Sequence, residues 1–399
     1  MGLSPIMVPE RSGARSEFER VGTSSPPREF RESAWTTRLR GGITRVYLWR
    51  PELINASGAA VHWLLSPSIL FLDRLTSAAR WVLASCRFSG LIWRPPSHAA
   101  PHSCFPCRST LPMPTLAFLT MHSLDGFECD DELTLEPLRQ RGIEVASIPW
   151  REPTDWRQFD AVVVRSPWDY QSRFHEFIEV LRTIDRSGTQ LWNPLALMEW
   201  NLHKSYLMDL QSRGVPIVPT IRASDLTADR LRSLPTELGT SEIVIKPIVG
   251  AGANRTHRLR FPWTGAAEQA AVADHNASEY LAQPFLRAIA DEGEYSLVYL
   301  EGQLSHAILK TPKPGDFRSQ EEFGSRLTQI TPDAQLRSHG DRVLAALPTP
   351  PLYGRVDLIR HNNGFALMEV ELVEPALYLS KSPGAAERFA GALASMLVR

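Results

Sequence analysis

The feature that most constrains the fold is a pair of segments, residues 353–360 and 365–372, in which apolar and polar residues alternate. Alternation with a period of two is typical of β-strands with one buried face. Between them lies His361-Asn362-Asn363-Gly364, a typical turn sequence. The sequence therefore predicts a β-hairpin, closed by a three-residue loop 362–364 with Gly364 in the left-handed conformation.

This hairpin places charged residues on one face of the predicted sheet. A three-residue loop pairs residue 361 with residue 365, so Asp357 lies opposite Glu369 and Arg355 lies opposite Glu371. The other face, directed to a core, carries Val356, Leu358, Met368 and Val370.

Three carboxylates on one face repel each other, and a single arginine cannot neutralise all of them. A divalent cation can, and a set of oxygen ligands suits Mg²⁺. Asp357, Glu369 and Glu371 are therefore the candidate metal ligands. An exposed polar face with an Arg355–Glu371 ion pair is the alternative that the residues leave open.

From Met113 onward, short apolar segments alternate with amphipathic ones, which is typical of a parallel α/β domain. The predicted strands are 116–120, 145–148 and 161–164, and the predicted helices are 130–141 and 174–186. Further along the chain, Asn201 is predicted to cap a helix over 202–213. A strand at 243–247 and a terminal helix at 385–397 follow.

Lysine is rare in this chain, which has only five: Lys204, Lys246, Lys310, Lys313 and Lys381. Lys246 ends an apolar strand and precedes a loop containing Gly250 and Gly252, whose backbone N–H groups can converge on an anion. A plain hairpin turn is the alternative. Lys204, in the predicted first helical turn, opposes the helix dipole, so it is either a solvated surface lysine or a phosphate ligand.

A second group of cations lies on a loop stiffened by proline and glycine. Lys310, Lys313 and Arg318 occupy the segment Lys310-Thr-Pro-Lys-Pro-Gly-Asp-Phe-Arg318. Such a loop can hold a transferring phosphoryl group or a substrate carboxylate.

Composition excludes several classes of protein. A formal net charge of −1 gives no electrostatic basis for binding nucleic acid or an anionic membrane. No stretch of about 20 apolar residues is present, so a transmembrane helix is not expected. The first residues do not resemble a secretory signal, and three of the four cysteines fall before residue 113, so we expect a cytoplasmic protein.

Residues 1–112 differ from the rest of the chain. They hold 14 arginines, no lysine and 7 acidic residues, with neither helical nor strand periodicity. We expect an irregular extension that is disordered or not a native segment. Cys104 and Cys107, with His102 nearby, have metal-like local spacing but no second pair of ligands.

Taken in order, these motifs resemble those of ATP-grasp ligases over residues 113–399. The similarity is closest to the O-ureido-serine cyclo-ligases of cycloserine biosynthesis, and bacterial glutathione synthetases share part of it. The strings that carry the resemblance are Val164-Arg165-Ser166-Pro167-Trp168-Asp169-Tyr170, Gln283-Pro284-Phe285-Leu286, Ser305-His306-Ala307, Gly315-Asp316-Phe317-Arg318 and Glu371-Leu372-Val373-Glu374-Pro375. Two positions depart from the glutathione synthetase pattern, because Glu371 replaces an asparagine and Gly324-Ser325 replaces a glycine pair.

The resemblance implies a role for each candidate residue. Lys204, Lys246, Gly250 and Gly252 would hold the phosphates of ATP, Gln283 and Phe285 would meet adenine, and Glu294 would bind ribose. Asp357, Glu369 and Glu371 would bind two Mg²⁺ ions, with Mn²⁺ as a substitute. Lys310, Arg318 and Arg355 would stabilise the acyl phosphate. Arg165, Ser166, Trp168 and Asp169 follow a strand of the first domain and are expected to contact an amino-acid-like substrate.

The expected fold is α/β (α+β), an ATP-grasp fold preceded by a small parallel α/β domain. The expected divisions are an extension at 1–112, a first domain at 113–200, and ATP-grasp subdomains at 201–286 and 287–399. The expected function is ATP-dependent carboxylate–amine ligation through an acyl phosphate, either within one molecule or between two. A kinase or ATPase that releases the acyl phosphate without ligation, and a non-catalytic ATP-binding module, are the alternatives, and a homodimer is left open.

Overall fold

The computed structural model describes residues 34–38, 44–48, 113–250, 252–263 and 265–398. Strands β1 (Ala34–Arg38) and β2 (Thr44–Leu48) pair antiparallel, with Ala34 opposite Leu48. The sequence did not predict this pair, because neither five-residue segment has a clear alternation. The rest of the expected extension, including Cys104 and Cys107, lies outside the described residues.

The first sheet confirms the predicted parallel α/β domain. Its strands are β3 (Thr115–Thr120), β4 (Glu144–Pro149), β5 (Ala161–Ser166) and β6 (Gln190–Trp192). All its pairings are parallel, in the order β4-β3-β5-β6. Helices α1 (Leu135–Arg139) and α2 (Phe174–Arg186) connect strands, and a 3₁₀ turn at Asp131–Thr134 precedes α1. Every residue of β5 is buried, as expected for a central parallel strand.

The predicted helix over 202–213 begins at the wrong residue. Helix α3 (Leu195–Leu202) already contains Asn201, and α4 (Tyr206–Ser212) begins after a break at 203–205. Asn201 is therefore no cap. Its buried side chain instead hydrogen-bonds the backbone of Val370 and Leu372. Because these partners are distant in the chain, the local sequence gives no sign of this role.

The second sheet is antiparallel and has the order β7-β10-β8-β9. Its strands are β7 (Ile221–Ser224), β8 (Glu242–Pro247), β9 (His257–Arg260) and β10 (Glu279–Pro284). Helices α5 (Ala228–Leu238) and α6 (Gly265–His275) cover one face through Leu231, Leu234 and Ala271. Lys246 thus stands near the end of β8, just before the glycine loop.

The third sheet, with the order β13-β12-β11-β14-β15, is also antiparallel. Its strands are β11 (Glu294–Leu300), β12 (Gln303–Thr311), β13 (Arg326–Ile330), β14 (Tyr353–His361) and β15 (Gly364–Glu371). The short helix α7 (Ala288–Asp291) leads into β11 through Gly293, which has a φ of +125°. A Cβ there would lie 2.6 Å from the Lys310 carbonyl oxygen, so this entry to β11 requires glycine.

The hairpin β14–β15 has the predicted register at its acidic end, but a different turn. His361 pairs with Gly364 around a two-residue turn, and the residue with positive φ is Asn362 rather than Gly364. A bulge between Asp357 and Leu358 then shifts the pairing by one residue. Because of this bulge, Met368 packs near Ile359, away from the core side where the alternation placed it.

Two helices close the fold over these sheets. Helix α8 (Ala334–Ala345) contributes Leu336 and Val343 to the core of the third sheet. Helix α9 (Ala385–Leu397), predicted with these bounds, packs Phe389 and Leu393 against the first sheet. Within the described ranges, no helix is long and apolar enough to cross a membrane.

Candidate active site

A cavity of about 620 Å³ is lined by residues of the second and third sheets and by loops that follow strands of the first sheet. Fifteen of the seventeen predicted site residues line it: Arg165, Trp168, Lys204, Lys246, Gly250, Gly252, Gln283, Phe285, Glu294, Lys310, Arg318, Arg355, Asp357, Glu369 and Glu371. The other two, Ser166 and Asp169, are not among the lining residues.

Asp357 is the most buried carboxylate of the predicted metal set, with only 1% of its surface exposed. Arg355 Nε and Nη2 donate to it at 3.0 and 2.9 Å, and Ser296 Oγ donates as well. Lys310 Nζ lies 3.6 Å from the same carboxylate. Although burial alone would raise it, these cations lower the pKa of Asp357 to about 2. Asp357 is therefore ionised at neutral pH.

Glu369 and Glu371 are also paired with cations. The Lys204 ammonium donates to Glu369, and together with Lys246 it holds the pKa of that carboxyl below its usual value despite burial. The Arg355 guanidinium donates to Glu371. Burial and the neighbouring carboxylates nevertheless raise the pKa of Glu371 to about 8, because Arg355 is shared with Asp357.

Lys204 is a buried residue, 8% exposed, and not a solvated surface lysine. It lies between α3 and α4, where its backbone N–H donates to the Ile248 carbonyl at 2.8 Å. This bond ties it to the segment that precedes the glycine loop. Lys204 is thereby held between that loop and Glu369.

Lys246 differs from Lys204 because no carboxylate among the described residues forms an ion pair with it. Burial, with the nearby Lys204 ammonium adding to it, lowers the pKa of Lys246 to about 8. A half-buried ammonium without a partner is a ready binding point for an anion.

Glu294 and Lys310 form a second buried ion pair, next to Asp357. Lys310 Nζ donates to Glu294 Oε1 at 3.0 Å, and Ser319 Oγ donates to Oε2. Burial would lower the pKa of Lys310, but Asp357 and Glu294 outweigh it and raise the pKa. Lys310 is thus a permanent cation.

One end of the cavity is apolar. Phe285 and Ile359 are buried there, with Met368, Val244 and Phe317 packed around them. The Arg258 guanidinium lies over the Phe285 ring, with its Cζ 3.6 Å from the ring centroid. Gln283 is 5% exposed and donates through Nε2 to Thr220 Oγ1 at 2.8 Å. A flat aromatic ligand group fits this end.

The loop carrying Arg318 is closed by Ser325, the residue that replaces a glycine in the family pattern. Ser325 Oγ donates to the Arg318 carbonyl at 3.0 Å. The Arg318 guanidinium pairs with Asp316 at 2.8 Å and stacks 3.8 Å from the Phe323 ring centroid. Arg318 therefore lines the cavity while tied to its own loop.

On the first-sheet side, the predicted substrate residues divide into two groups. Arg165 is 2% exposed and pairs with Asp131 at 2.8 Å, and Trp168 donates to the Glu374 carbonyl at 2.9 Å. Ser166 and Asp169 form hydrogen bonds with other side chains of the protein. The Ser166 hydroxyl donates to Thr120 Oγ1 at 2.9 Å, and Asp169 accepts from Trp150 Nε1 at 2.6 Å.

Sequence reasoning missed the residues that fix the acidic strand β15. Asn201 Nδ2 donates to the Val370 carbonyl and its Oδ1 accepts from the Leu372 N–H, both at 2.8 Å. The Val370 N–H donates to the Tyr206 hydroxyl at 3.1 Å. These side chains satisfy the free edge of β15 and so set the positions of Glu369 and Glu371. The contacts span about 170 residues, so local patterns could not reveal them.

Many other lining residues were not predicted either, and Asp131, Tyr170 and Lys381 are among them. For Lys381 a signal existed, because it is one of only five lysines, four of which line the cavity. Its ammonium donates to Glu321 at 2.8 Å.

The donor set fits a hard cation, although the described residues contain no group of three Asp, Glu, His or Cys side chains already arranged around one point. Asp357, Glu369 and Glu371 offer only oxygen and each is held by a protein cation. These oxygen ligands suit Mg²⁺, a hard cation that prefers carboxylate and phosphate oxygens.

Comparison with known proteins identifies relatives of this chain. Residues 116–193 match the family model described as D-cycloserine synthetase DcsG, N-terminal domain. The cycloserine biosynthesis protein DcsG of Streptomyces lavendulae is 34% identical over 285 residues, which cover 66% of this chain and 92% of that protein. A glutathione synthetase of Ralstonia nicotianae is 27% identical over 228 residues, covering 55% of this chain and 65% of that protein.

Solved structures give the same result. The crystal structure of D-cycloserine synthetase DcsG has 31% identity and a TM-score of 0.64, and covers 71% of this chain and 99% of its own. An ATP-grasp RimK domain protein from Sphaerobacter thermophilus, at 16% identity and a TM-score of 0.53, covers 71% of this chain and 100% of its own and shares the fold. The confirmed fold, the paired cations and carboxylates of the cavity, and 34% identity over 92% of DcsG show that the chain belongs to the D-cycloserine synthetase family of ATP-grasp ligases, ATP-dependent enzymes that form carbon–nitrogen bonds.

Proposed function

We propose that this enzyme converts O-ureido-D-serine into D-cycloserine, and so acts in antibiotic biosynthesis as an intramolecular carboxylate–amine ligase. The observation that carries the proposal is the acidic wall of β14 and β15, where Asp357, Glu369 and Glu371 stand beside Lys204, Lys310 and Arg355. That combination suits activation of a carboxylate by a nucleotide, since the protein cations can neutralise the anionic groups that take part in the reaction.

The apolar end of the cavity receives the nucleobase in this proposal. Phe285 and Met368 contact adenine, the Gln283 region meets its polar edge, and Glu294 binds the ribose hydroxyls. Lys204, Lys246 and the backbone near Gly250 and Gly252 hold the phosphates. Lys246 is suited to this role because it has no protein carboxylate partner among the described residues.

Asp357, Glu369 and Glu371 would hold two Mg²⁺ ions, which neutralise phosphate charge when bound. Mn²⁺ offers similar oxygen coordination. Lys310 and Arg355 then face the reacting groups from the protein side. Lys310 keeps its charge throughout because Asp357 and Glu294 flank it.

The chemistry proceeds in two steps. A substrate carboxylate oxygen attacks the γ-phosphorus, so an O–P bond forms and ADP leaves. The oxygen-bound nitrogen of the same molecule then attacks the acyl carbon, loses its proton, and displaces phosphate as the C–N bond forms. In O-ureido-D-serine this nitrogen carries a carbamoyl group, so D-cycloserine forms only when water cleaves that group from the ring nitrogen, with release of ammonia and carbon dioxide. Arg355 and Lys310 stabilise the acyl phosphate and the oxyanion that follows, and Arg318 closes the loop over them.

We further propose the divisions 113–200, 201–286 and 287–399 as domains, since each segment contains one of the three sheets formed by strands β3 to β15. Residues 1–112 are then an extension that ligation does not need, because 71% of this chain covers 99% of the solved D-cycloserine synthetase. Unfolding curves and ADP assays on the full chain and on a chain that begins at Met113 test this division. A cytoplasmic location follows from the need for ATP, and sedimentation of the full chain tests whether it is a homodimer.

Purified enzyme with ATP, Mg²⁺ and O-ureido-D-serine tests the proposal. ADP and D-cycloserine should form in equal amounts, as measured by a coupled assay and mass spectrometry. Added hydroxylamine should trap the acyl phosphate as a hydroxamate. ADP release that requires a second, external amine would instead support intermolecular ligation, the candidate favoured by the similarity to glutathione synthetase.

A further inference from the structure

One carboxylate that lines the cavity, Glu374, differs from its acidic neighbours in its partners. Glu374 lines the cavity three residues after Glu371. Glu369 and Glu371 each pair with a protein cation, whereas no Lys, Arg or His in the described ranges forms an ion pair with Glu374. Its neighbouring donor is the hydroxyl of the buried Tyr170.

The backbone of Glu374 is fixed against the first-sheet loops. Trp168 Nε1 donates to its carbonyl at 2.9 Å. The Tyr353 hydroxyl donates to the Val164 carbonyl at 2.7 Å and lies 3.1 Å from the Val373 carbonyl. One hydroxyl therefore brings together the residues that precede Arg165 and Glu374, both of which line the cavity.

Arg165 supplies a second, independent sign that the cavity receives a polar ligand. Its Nε and Nη2 both lie within 2.9 Å of Asp131 Oδ1. Its Nη1 is buried and has no hydrogen-bond partner among the described residues. An unsatisfied buried donor is costly, and a ligand acceptor in the cavity would satisfy it.

We propose that Glu374 binds the α-ammonium group of the substrate and so restricts the enzyme to amino acids. The inference rests on the proposed function, because it concerns the substrate of the same site. The substrate carboxylate lies toward Arg355 and Lys310, and the ammonium on the adjacent carbon supplies the cation that Glu374 lacks. A carboxylic acid without an amino group leaves the buried Glu374 without a cation partner, and is rejected.

The test measures substrate preference rather than activity alone. Wild-type enzyme, Glu374→Gln and the control Glu322→Gln receive ATP, Mg²⁺ and hydroxylamine, with hydroxamate and ADP as readouts. Glu322 is exposed at the rim of the same cavity, so its substitution makes the same charge change away from Glu374. Each protein is given O-ureido-D-serine, a panel of D- and L-amino acids, and the matching acids that lack the α-amino group.

We expect wild-type enzyme and Glu322→Gln to prefer each amino acid over its des-amino analogue by between about tenfold and a hundredfold in kcat/KM. In Glu374→Gln the preference should fall to within about threefold, mainly through KM, while calorimetry shows unchanged ATP affinity. If Glu374 had only a structural role, its substitution would lower kcat/KM equally for both substrates and keep their ratio.

The outcomes separate the two proposals. If the enzyme uses another amino acid but not O-ureido-D-serine, and Glu374→Gln still loses the preference, the proposed substrate is wrong and the ammonium site stands. If Glu374→Gln keeps the wild-type preference, the ammonium site is refuted. If no acid in the panel is activated, both proposals fail.

Discussion

Asp357 and Glu369 lie directly opposite each other on β14 and β15, yet they do not meet as two repelling anions. Asp357 is neutralised by Arg355 and Lys310, and Glu369 by Lys204. Both carboxylates are thus neutralised by protein cations. This relationship changes what a charge-removing mutation should do to the fold.

Glu369→Gln should abolish turnover and destabilise the protein. If the three carboxylates only repelled each other, removing one charge would stabilise the metal-free protein. In the structure, however, the substitution leaves the buried Lys204 ammonium without its carboxylate partner. We expect this to lower the free energy of unfolding by about 1–3 kcal/mol, less than for a fully buried pair because Glu369 is part-exposed. Urea unfolding measures stability, and hydroxamate formation measures turnover, with Glu322→Gln as the control. Normal turnover in Mg²⁺ would refute the metal assignment.

Lys246→Ala should weaken ATP binding by about 1.5–3 kcal/mol, the range for hydrogen bonds to a charged group. The variant should fold normally, because no protein carboxylate depends on Lys246 in the described part of the chain. Lys204→Ala should weaken binding too, but it also unpairs Glu369 and lowers the free energy of unfolding. Calorimetry with ATP and urea unfolding on both variants separate these effects. Equal ATP affinity in all three proteins would contradict the phosphate assignment.

ATP affinity should also depend on pH through Lys246. Its pKa in the free protein is about 8, so the lysine loses its proton as pH rises through that value, and binding must then take up a proton. Wild-type affinity should fall toward tenfold per pH unit above pH 8, whereas Lys246→Arg keeps its charge and should retain only the weaker dependence that comes from ionisation of Glu371. Titrations in two buffers of different ionisation enthalpy count the protons. Parallel pH profiles would exclude Lys246 as the titrating group.

The sequence predicted the acidic pairing correctly although it described the turn wrongly. A two-residue turn moves the register by one, and the bulge after Asp357 moves it back, so Asp357 still faces Glu369. Alternation over many residues fixes which side chains share the acidic face, whereas turn type and bulges depend on tertiary packing. The same distinction explains Asn201, because its local context is typical of a cap and its actual partners lie on a distant strand.

Asn201→Ala should disturb the site by loosening β15. It removes both bonds to the edge of β15 and leaves a buried carbonyl and N–H unsatisfied, which costs about 2–4 kcal/mol for the two groups. Glu369 and Glu371 then lose a fixed position, so kcat should fall more than ATP affinity. Gln211→Ala, on the exposed side of α4, removes an amide side chain without these contacts and is the matched control. Wild-type kcat in Asn201→Ala would show that β15 is held by other contacts.

Stability below neutral pH should depend on His306. This imidazole is 5% exposed, Nε2–H donates to the Leu377 carbonyl at 2.8 Å, and Nδ1 accepts from Ser305. Burial lowers the pKa of His306 to about 4, against 6.5 when unfolded, so between these values the unfolded chain binds more protons. The stabilisation is complete above pH 6.5 and is lost as pH falls toward 4. Wild type should therefore lose about 2–3 kcal/mol more than His306→Gln between about pH 7 and pH 4.5, as measured by urea unfolding. Equal losses in the two proteins would show that His306 is protonated at no cost in the folded state.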